Sequence, residues 1–250
     1  MPDGPAVALE RGAGYLRVRL GRERNPLDNE LVCRLLSVLD TAEADPGCVA
    51  LVIQARGPVF CSGMPLRADA ELPEGWADDA PPPPWRLFQR LTHAPVVTVA
   101  VVDGTSSGGG VGLAAACDLV VAGPAARFRL TELLLGLVPA MALPSIARRT
   151  GPQAARRLAL TCAEVGRDEA VRIGLADFAA DDLTPLLRRL LVNLRRLDPD
   201  VVGALKTYLR TAFPAPGGLA SAARDVLVQR MRAPSVAERL RTLHQEGLLG

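Results

Sequence analysis

The sequence has little of several residue types, and each shortage argues against a class of protein. The five cysteines and two histidines show no CxxC or Cys/His spacing, which argues against a zinc site. Unpatterned cysteines also favour reduced thiols over a disulfide framework. No run approaches the ~20 apolar residues that a membrane-spanning helix needs. A net charge of +2 provides no general attraction to nucleic acid, so we expect neither a nucleic-acid nor a membrane partner.

The bulk composition is that of a folded protein. Of the 250 residues, 49% are hydrophobic and 22% are charged, so the chain can bury a core. Lys206 is the sole lysine, and arginine carries nearly all the positive charge. Residues 1–11 lack a basic segment followed by an apolar run, so we expect no signal peptide and a cytoplasmic location.

Hydrophobic periodicity predicts an α/β protein. Residues 14–20 alternate as a half-buried strand, residues 29–44 keep helical spacing, and residues 48–54 form an apolar β-branched run. This order predicts a strand–helix–strand crossover unit. Three further segments predict a strand, a helix and a strand: 96–102, 109–117 and 119–122.

The remaining segments set the expected organisation. Residues 68–84 are acidic and then proline-rich, which predicts a solvated, mobile loop long enough to be functional. From Pro152 onward the pattern is nearly all helical. We therefore divide the chain into an α/β core, residues 1–190, and a helical C-terminal region, residues 191–250.

A glycine run after the predicted strand 96–102 is the strongest local motif. Gly108, Gly109 and Gly110 open a helix, where unpaired backbone N–H groups and the helix dipole can receive an anion. The spacing does not fit a dinucleotide fingerprint, and a P-loop would need GK[ST]. An oxyanion hole needs only one or two such donors, while close packing of a small-residue helix is the structural alternative.

Two other segments can complete a site. Gly63 and Met64 follow a strand and turn, where a glycine can expose the next N–H, although a plain turn also explains them. Glu132 begins an apolar run that ends near Pro139. Apolar surroundings raise a carboxyl pKa, which suits a group that takes and gives protons. Alternatively, Glu132 begins a helix and interacts with its dipole.

Together these segments resemble the enoyl-CoA hydratase/isomerase (crotonase) superfamily over almost the whole chain. The matching segments are 24–28, 60–64, 108–118, 132–139, 167–170 and 174–177. The resemblance implies an α/β crotonase fold, with a repeated ββα spiral core and a helical C-terminal trimerisation region. It also implies an oxyanion hole made by the N–H groups of Met64 and Gly109, with Glu132 as catalytic acid/base. Further substrate contacts are expected from Gly63, Gly108, Gly110, Gly112, Leu137 and Pro139.

Gly112 departs from the hydratase pattern. Hydratases of the family carry a second active-site glutamate at this position, so two-carboxylate hydration is doubtful here. Residues 109–118 and 131–137 instead resemble the crotonase-like dehydratases of polyketide β-branching. That subgroup is a set of lyases that dehydrate a 3-hydroxy-3-methylglutaryl group on an acyl carrier protein to the 3-methylglutaconyl thioester.

The expected partners and rival functions follow from this resemblance. We expect an acyl carrier protein, an acyl-thioester substrate, a homotrimer or hexamer, and no metal or other cofactor beyond the carrier's phosphopantetheine or CoA. A generic enoyl-CoA hydratase or isomerase, the companion decarboxylase and a non-catalytic scaffold member remain alternatives.

Histidine and arginine supply weaker candidates. His93 precedes a predicted strand and could reach a substrate carboxylate, although a structural histidine is the plainer interpretation. Arg148, Arg149, Arg156 and Arg157 could hold a phosphopantetheine phosphate or meet an acidic carrier protein. A solvated helix face is the alternative for each.

Overall fold

The computed structural model describes residues 7–78 and 81–247. Its strands are β1 Val7–Gly12, β2 Tyr15–Leu20, β3 Ala50–Ala55, β4 Val59–Cys61, β5 Val97–Val102, β6 Thr105–Ser107, β7 Leu119–Ala122, β8 Arg127–Arg129, β9 Val165–Gly166 and β10 Phe178–Ala179. Its α-helices are α1 Asn29–Glu43, α2 Pro83–His93, α3 Gly109–Ala116, α4 Leu143–Thr161, α5 Arg167–Arg172, α6 Leu183–Leu194, α7 Pro199–Ala212, α8 Leu219–Met231 and α9 Pro234–Gln245. A 3₁₀ turn spans Glu132–Leu135.

A six-stranded sheet forms the larger layer, in the order β1-β2-β3-β5-β7-β10. The strands from β2 to β10 pair in parallel, and β1 pairs antiparallel with β2. Helix α1 connects the parallel strands β2 and β3, as the sequence predicts, and the Asp28 side chain caps it by accepting from the Leu31 N–H at 2.9 Å. The predicted α/β class is confirmed.

The two faces of this sheet bury separate apolar clusters. One face packs with helices α1, α2 and α3 around residues such as Leu16, Leu51 and Phe88. The other face is covered by α6, whose Leu187, Leu191 and Leu194 contact the sheet. Buried parallel strands of this kind read as continuous apolar runs, which is why the sequence reveals them.

A second, four-stranded sheet has the order β4-β6-β8-β9, and none of its strands exceeds three residues. The sequence does not predict it, since so short a strand shows no measurable period. Close backbone contacts hold it together. A Cβ on Gly104 would lie 2.1 Å from the Pro58 carbonyl oxygen, and the Thr105 N–H donates to that same oxygen at 2.8 Å.

The helical C-terminal part joins the core in two ways. Helix α6 crosses the predicted boundary between residues 190 and 191 and packs on the sheet on both sides of it. Helix α7 is held by Lys206, whose buried ammonium donates to Asp118 at 2.7 Å and to the carbonyls of Val96 and Leu91. Burial lowers the pKa of Lys206, and the Asp118 carboxylate opposes that shift.

Loop 66–78 (residues 66 to 78) is anchored rather than solvated throughout, which corrects the expectation for this part of residues 68–84. Trp76 is only 2% exposed and packs with Leu227 of α8 and Val236 of α9. Its indole N–H donates to the Asn29 side chain at 2.8 Å. Residues 79 and 80 lie outside the described residues. No described helix is both long enough and apolar enough to span a membrane.

Candidate active site

Two backbone N–H groups are brought together where β4 and β6 end. Gly63 has φ +81°, and a Cβ there would lie 3.0 Å from the Gly109 nitrogen and 2.7 Å from the Ser107 carbonyl oxygen. A Cβ on Gly109 would lie 3.8 Å from the Met64 nitrogen. Only glycine at position 63 therefore allows the two segments to approach this closely.

Both of these donors are available to a ligand. Gly109 is the first residue of α3, so its N–H has no acceptor within the helix. Within the described parts of the chain, neither the Met64 nor the Gly109 N–H donates to a protein acceptor. Two preorganised N–H donors at a helix N-terminus can receive a developing oxyanion.

Glu132 lies beside this pair of donors at the start of the 3₁₀ turn. A Cβ on Gly108 would lie 2.9 Å from Glu132 Oε1, so the carboxyl group rests against the residue that precedes Gly109. Its Oε2 atom is buried and has no hydrogen-bond partner. Burial raises the pKa of Glu132 to about 7, against the opposing effect of backbone N–H groups of Glu132 and Thr131. A carboxyl with this pKa can exchange protons near neutral pH.

These groups open into one cleft with about 640 Å³ of empty space, including its mouth. Glu132 is the only titratable side chain among the described residues that line it; the other polar side chains are Ser62, Thr131 and the Trp76 indole. The remaining lining is mostly apolar: Leu27, Met64, Leu66, Pro84, Phe88, Leu135, Leu137, Val138, Pro139, Ala140, Met141, Ala142 and Leu227, with Gly63, Gly108 and Gly109. The cleft therefore suits an acyl chain beside a single proton-transfer group.

Most of the predicted site residues share this cleft. Seven of them line it: Gly63, Met64, Gly108, Gly109, Glu132, Leu137 and Pro139. Gly110 and Gly112 do not, and both are packed against protein instead. A Cβ on Gly110 would lie 2.2 Å from the Cys61 carbonyl oxygen, and one on Gly112 would lie 2.8 Å from Ala142 Cβ and 2.9 Å from Phe88 Cε2.

His93 lies outside the cleft, in a neighbouring groove that shares Val138 and Pro139 as a common wall. Burial lowers the pKa of His93, and the positive charges of Arg210, Lys206 and Arg148 lower it further. The structure thus separates His93 from Glu132 and from the two N–H donors.

The predicted arginine cluster is mostly engaged within the protein. Arg148 donates to the carbonyl oxygens of Ala115, Ala116 and Cys117 at the C-terminus of α3. Arg149 donates to the carbonyls of Cys117, Asp118 and Leu175 and pairs with Asp177. Arg157 pairs with Glu169 at 2.7 Å. Arg148 and Arg149 therefore serve internal contacts, whereas Arg157 is 44% exposed and its phosphate or carrier role stays a prediction.

Several lining residues are absent from the sequence prediction. Phe88, Trp76 and Leu227 come from α2, loop 66–78 and α8, which are distant from Glu132 along the chain. Trp76 offered one signal, because a tryptophan within an acidic segment is usually at least partly buried.

Fold and site together define a class of protein. The described residues present two free backbone donors and one carboxyl with a pKa of about 7 in a mostly apolar cleft of an α/β fold. The enoyl-CoA hydratase/isomerase family model matches residues 10–234. The chain belongs to this family, which confirms the predicted resemblance.

Individual relatives agree with this assignment. A Thermus thermophilus protein of the enoyl-CoA hydratase type is 40% identical over 157 residues, and this alignment spans 62% of each chain. The bacillaene synthase dehydratase PksH of Bacillus subtilis is 30% identical over 205 residues, covering 81% of this chain and 79% of its own.

The solved structures include PksH of Bacillus subtilis, whose crystal structure superposes with a TM-score of 0.83 at 25% identity and covers 96% of this chain and 97% of its own. An enoyl-CoA hydratase from Mycobacterium avium superposes with a TM-score of 0.84 at 25% identity, with 97% of each chain covered. The chain is a hydro-lyase of the enoyl-CoA hydratase type, and its similarity to PksH supports the polyketide dehydratase subgroup.

Proposed function

We propose that this protein dehydrates a 3-hydroxy-3-methylglutaryl group on an acyl carrier protein to the 3-methylglutaconyl thioester. The observation that carries the reaction type is Glu132, the single carboxyl group among the described residues of the cleft, beside the free N–H groups of Met64 and Gly109. Packing supports the same conclusion, because a side chain at position 112 would overlap Ala142 and Phe88. A second carboxylate at that position has no space.

One carboxyl group is sufficient for a syn elimination. The thioester oxygen accepts from the N–H groups of Met64 and Gly109, and ionised Glu132 removes the proton from the carbon next to the thioester carbonyl. The electron pair of that C–H bond forms the enolate, which each oxyanion donor can stabilise by ~3 kcal/mol. The enolate then re-forms the carbonyl and expels the 3-hydroxyl group, which takes the proton from Glu132 and leaves as water. Glu132 ends the cycle ionised.

The carrier-bound substrate and its setting rest on similarity. PksH is named as a dehydratase of bacillaene synthase, and it covers 81% of this chain. We extend that role here, with a cytoplasmic enzyme, phosphopantetheine or CoA as the thioester carrier, no metal or redox cofactor, and a trimer or hexamer as the assembly. The core, residues 1–190, would then supply the acid/base group and the oxyanion donors, and the helical region, residues 191–250, would supply assembly contacts and part of the cleft wall.

A generic enoyl-CoA hydratase or isomerase is the second candidate, and one observation favours it. No cationic side chain lies among the described residues of the cleft lining, so nothing there pairs with the distal carboxylate of a 3-methylglutaryl group. An uncharged acyl group would meet a mostly apolar surface.

Intact-protein mass spectrometry of 3-hydroxy-3-methylglutaryl carrier protein tests the proposal. We expect the wild-type enzyme to remove one water, and Glu132→Gln to slow this by at least ~1,000-fold, since the acid/base group is removed. Glu164→Gln is the matched control and should leave turnover unchanged, because this exposed carboxylate pairs with Arg127 at 3.5 Å and is not among the residues that line the cleft.

Three other results of these experiments would each support a different function. Faster turnover of the same acyl group on CoA than on carrier protein would support the generic enzyme. Release of carbon dioxide from 3-methylglutaconyl carrier protein would support the companion decarboxylase. Unchanged product formation by Glu132→Gln in the reconstituted pathway would support a non-catalytic scaffold.

A further inference from the structure

The turn that carries Glu132 is weakly held by its own residues. It is a single 3₁₀ turn, a geometry with poorer hydrogen bonds than an α-helix, and none of its residues 132–135 is fully buried. Leu134 is 49% exposed. The flanking Leu130 and Leu137 are buried. The N–H groups of Leu137 and Gly136 donate to the carbonyls of Glu132 at 2.8 Å and Leu133 at 3.1 Å. These local bonds leave the carbonyls of Leu134 and Gly136, at the end of the turn, for donors from elsewhere in the fold.

Two arginines from the last helices contact this end of the turn. Arg230 of α8 donates from Nε to the Gly136 carbonyl at 2.7 Å, and Arg239 of α9 donates to the Leu134 carbonyl at 2.6 Å. Neither carbonyl accepts a backbone N–H from the described residues. Hydrogen bonds from a charged donor are shorter and about twice as strong as neutral ones.

The same two helices close over the cleft. Leu227, one turn before Arg230, lines the cleft and packs with Trp76 and Leu137. Val236 of α9 also packs against the turn, since a Cβ on Gly136 would lie 3.1 Å from its Cγ2. Helices α8 and α9 thus contact the Glu132 turn through both apolar side chains and charged hydrogen bonds.

We propose that Arg230 and Arg239 are positioning residues, which hold the Glu132 turn so that the carboxyl group faces the Met64 and Gly109 donors. Helices α8 and α9 then form a clamp on the acid/base group, in addition to any role in assembly. This inference rests on the proposed catalytic role of Glu132.

The kinetic test compares arginines of the same helices. We expect Arg230→Ala to lower kcat by ~10- to 100-fold with little change in KM, since a small displacement of a catalytic group has such effects. Arg239→Ala should lower kcat less, because Arg239 is exposed, and Arg230→Lys should recover part of the rate. Arg241→Ala is the matched control, because the hydrogen bond of Arg241 among the described residues goes to the Ala237 carbonyl of its own helix.

A second measurement separates positioning from general stability and needs no substrate. The difference in unfolding temperature between wild type and Glu132→Gln, followed across pH, reports the pKa of Glu132. In an Arg230→Ala background we expect that pKa to move from about 7 toward the ordinary value, because a released turn admits water to the carboxyl group. A variant that only lowers the unfolding temperature, with the kcat loss recovered on cooling and the Glu132 pKa unmoved, would overturn the clamp.

The two proposals fail in different ways. If Glu132→Gln abolishes turnover while Arg230→Ala behaves like Arg241→Ala, the clamp is wrong and the proposed function stands. If Glu132→Gln keeps full turnover, the proposed function itself is wrong. An unmoved pKa in Arg230→Ala would still count against the clamp in that case.

Discussion

The six-stranded sheet and the four-stranded sheet are built in different ways. The larger sheet has strands of up to six residues and buries an apolar cluster on each face. The smaller sheet has strands of two or three residues, and its position depends on glycines pressed against carbonyl oxygens. The larger sheet provides the scaffold, and the smaller sheet ends in the two N–H donors of the cleft. The two donors of the cleft therefore come from the sheet with the shorter strands, where close backbone contacts fix the geometry.

The largest effect that we expect concerns the smaller sheet. In Gly110→Ala, the new Cβ would lie 2.2 Å from the Cys61 carbonyl oxygen, so β4 and α3 must separate. We expect a loss of ~4 kcal/mol in the free energy of unfolding, at the upper end for overpacking, or failure to fold. Chemical denaturation followed by circular dichroism measures this. Gly57→Ala is the control, because no atom lies within 4 Å of its Cβ. Equal stability of the two variants would contradict the contrast between the sheets.

A slightly smaller effect concerns the attachment of α7 to the larger scaffold. Lys206→Met removes the cation paired with Asp118 and leaves that partly buried carboxylate without its ion-pair partner. We expect a loss of ~3 to 4 kcal/mol in unfolding free energy. The double variant Asp118→Asn with Lys206→Met should lose less, since neither charge remains. A double variant less stable than Lys206→Met would show that the hydrogen bonds of Asp118 with Thr98 matter more than the ion pair.

The third prediction concerns how the stability of the protein depends on pH through Glu132. The folded-state pKa of Glu132 is about 7, above its ordinary value of 4.5, so the folded protein binds the proton more tightly than the unfolded chain. Stability from this group is complete below pH 4.5 and is lost as the pH rises through 7. Glu132→Gln should therefore be more stable than wild type by ~3 kcal/mol at pH 8, and equal to it near pH 4. Thermal unfolding at both pH values checks this. A constant difference would show that Glu132 is not held in a desolvated state.

The smallest effect concerns the cover of the cleft. Trp76→Phe removes the indole donor to Asn29 but keeps a ring within the apolar cluster with Leu227. We expect a loss of ~1 kcal/mol, typical of one hydrogen bond. Loop 66–78 should also become more sensitive to limited proteolysis. Trp85→Phe is the matched control, because Trp85 lies on α2 outside that cluster. Equal proteolysis of the two variants would mean that the Asn29 contact does not anchor the loop.

The sequence by itself determined four strands of the larger sheet (β2, β3, β5 and β7), the helices α1 and α3, and the chemistry available at Gly63, Met64, Gly108, Gly109 and Glu132. A long apolar periodicity, a glycine run and a lone glutamate in an apolar segment are local features, so they can be recognised from the sequence without knowing which distant segments meet. The same signal predicts the direction of the pKa shift of Glu132, since the apolar residues that follow it in sequence form part of the cleft, and distant segments complete its burial.

Only the tertiary structure decided the rest. It placed His93 behind the wall of Val138 and Pro139, and it used Arg148 and Arg149 on carbonyls of the α3 terminus. It assigned Gly112 to packing against Ala142 and Phe88, more than 20 residues away along the chain. The physical reason is that close approach and hydrogen-bond pairing depend on which distant segments meet, and hydrophobic period carries no information about that. The pair of backbone donors depends on both the sequence and the tertiary structure. The sequence supplied Gly63 and Gly109, and the contact between β4 and β6 brought the N–H groups of Met64 and Gly109 together.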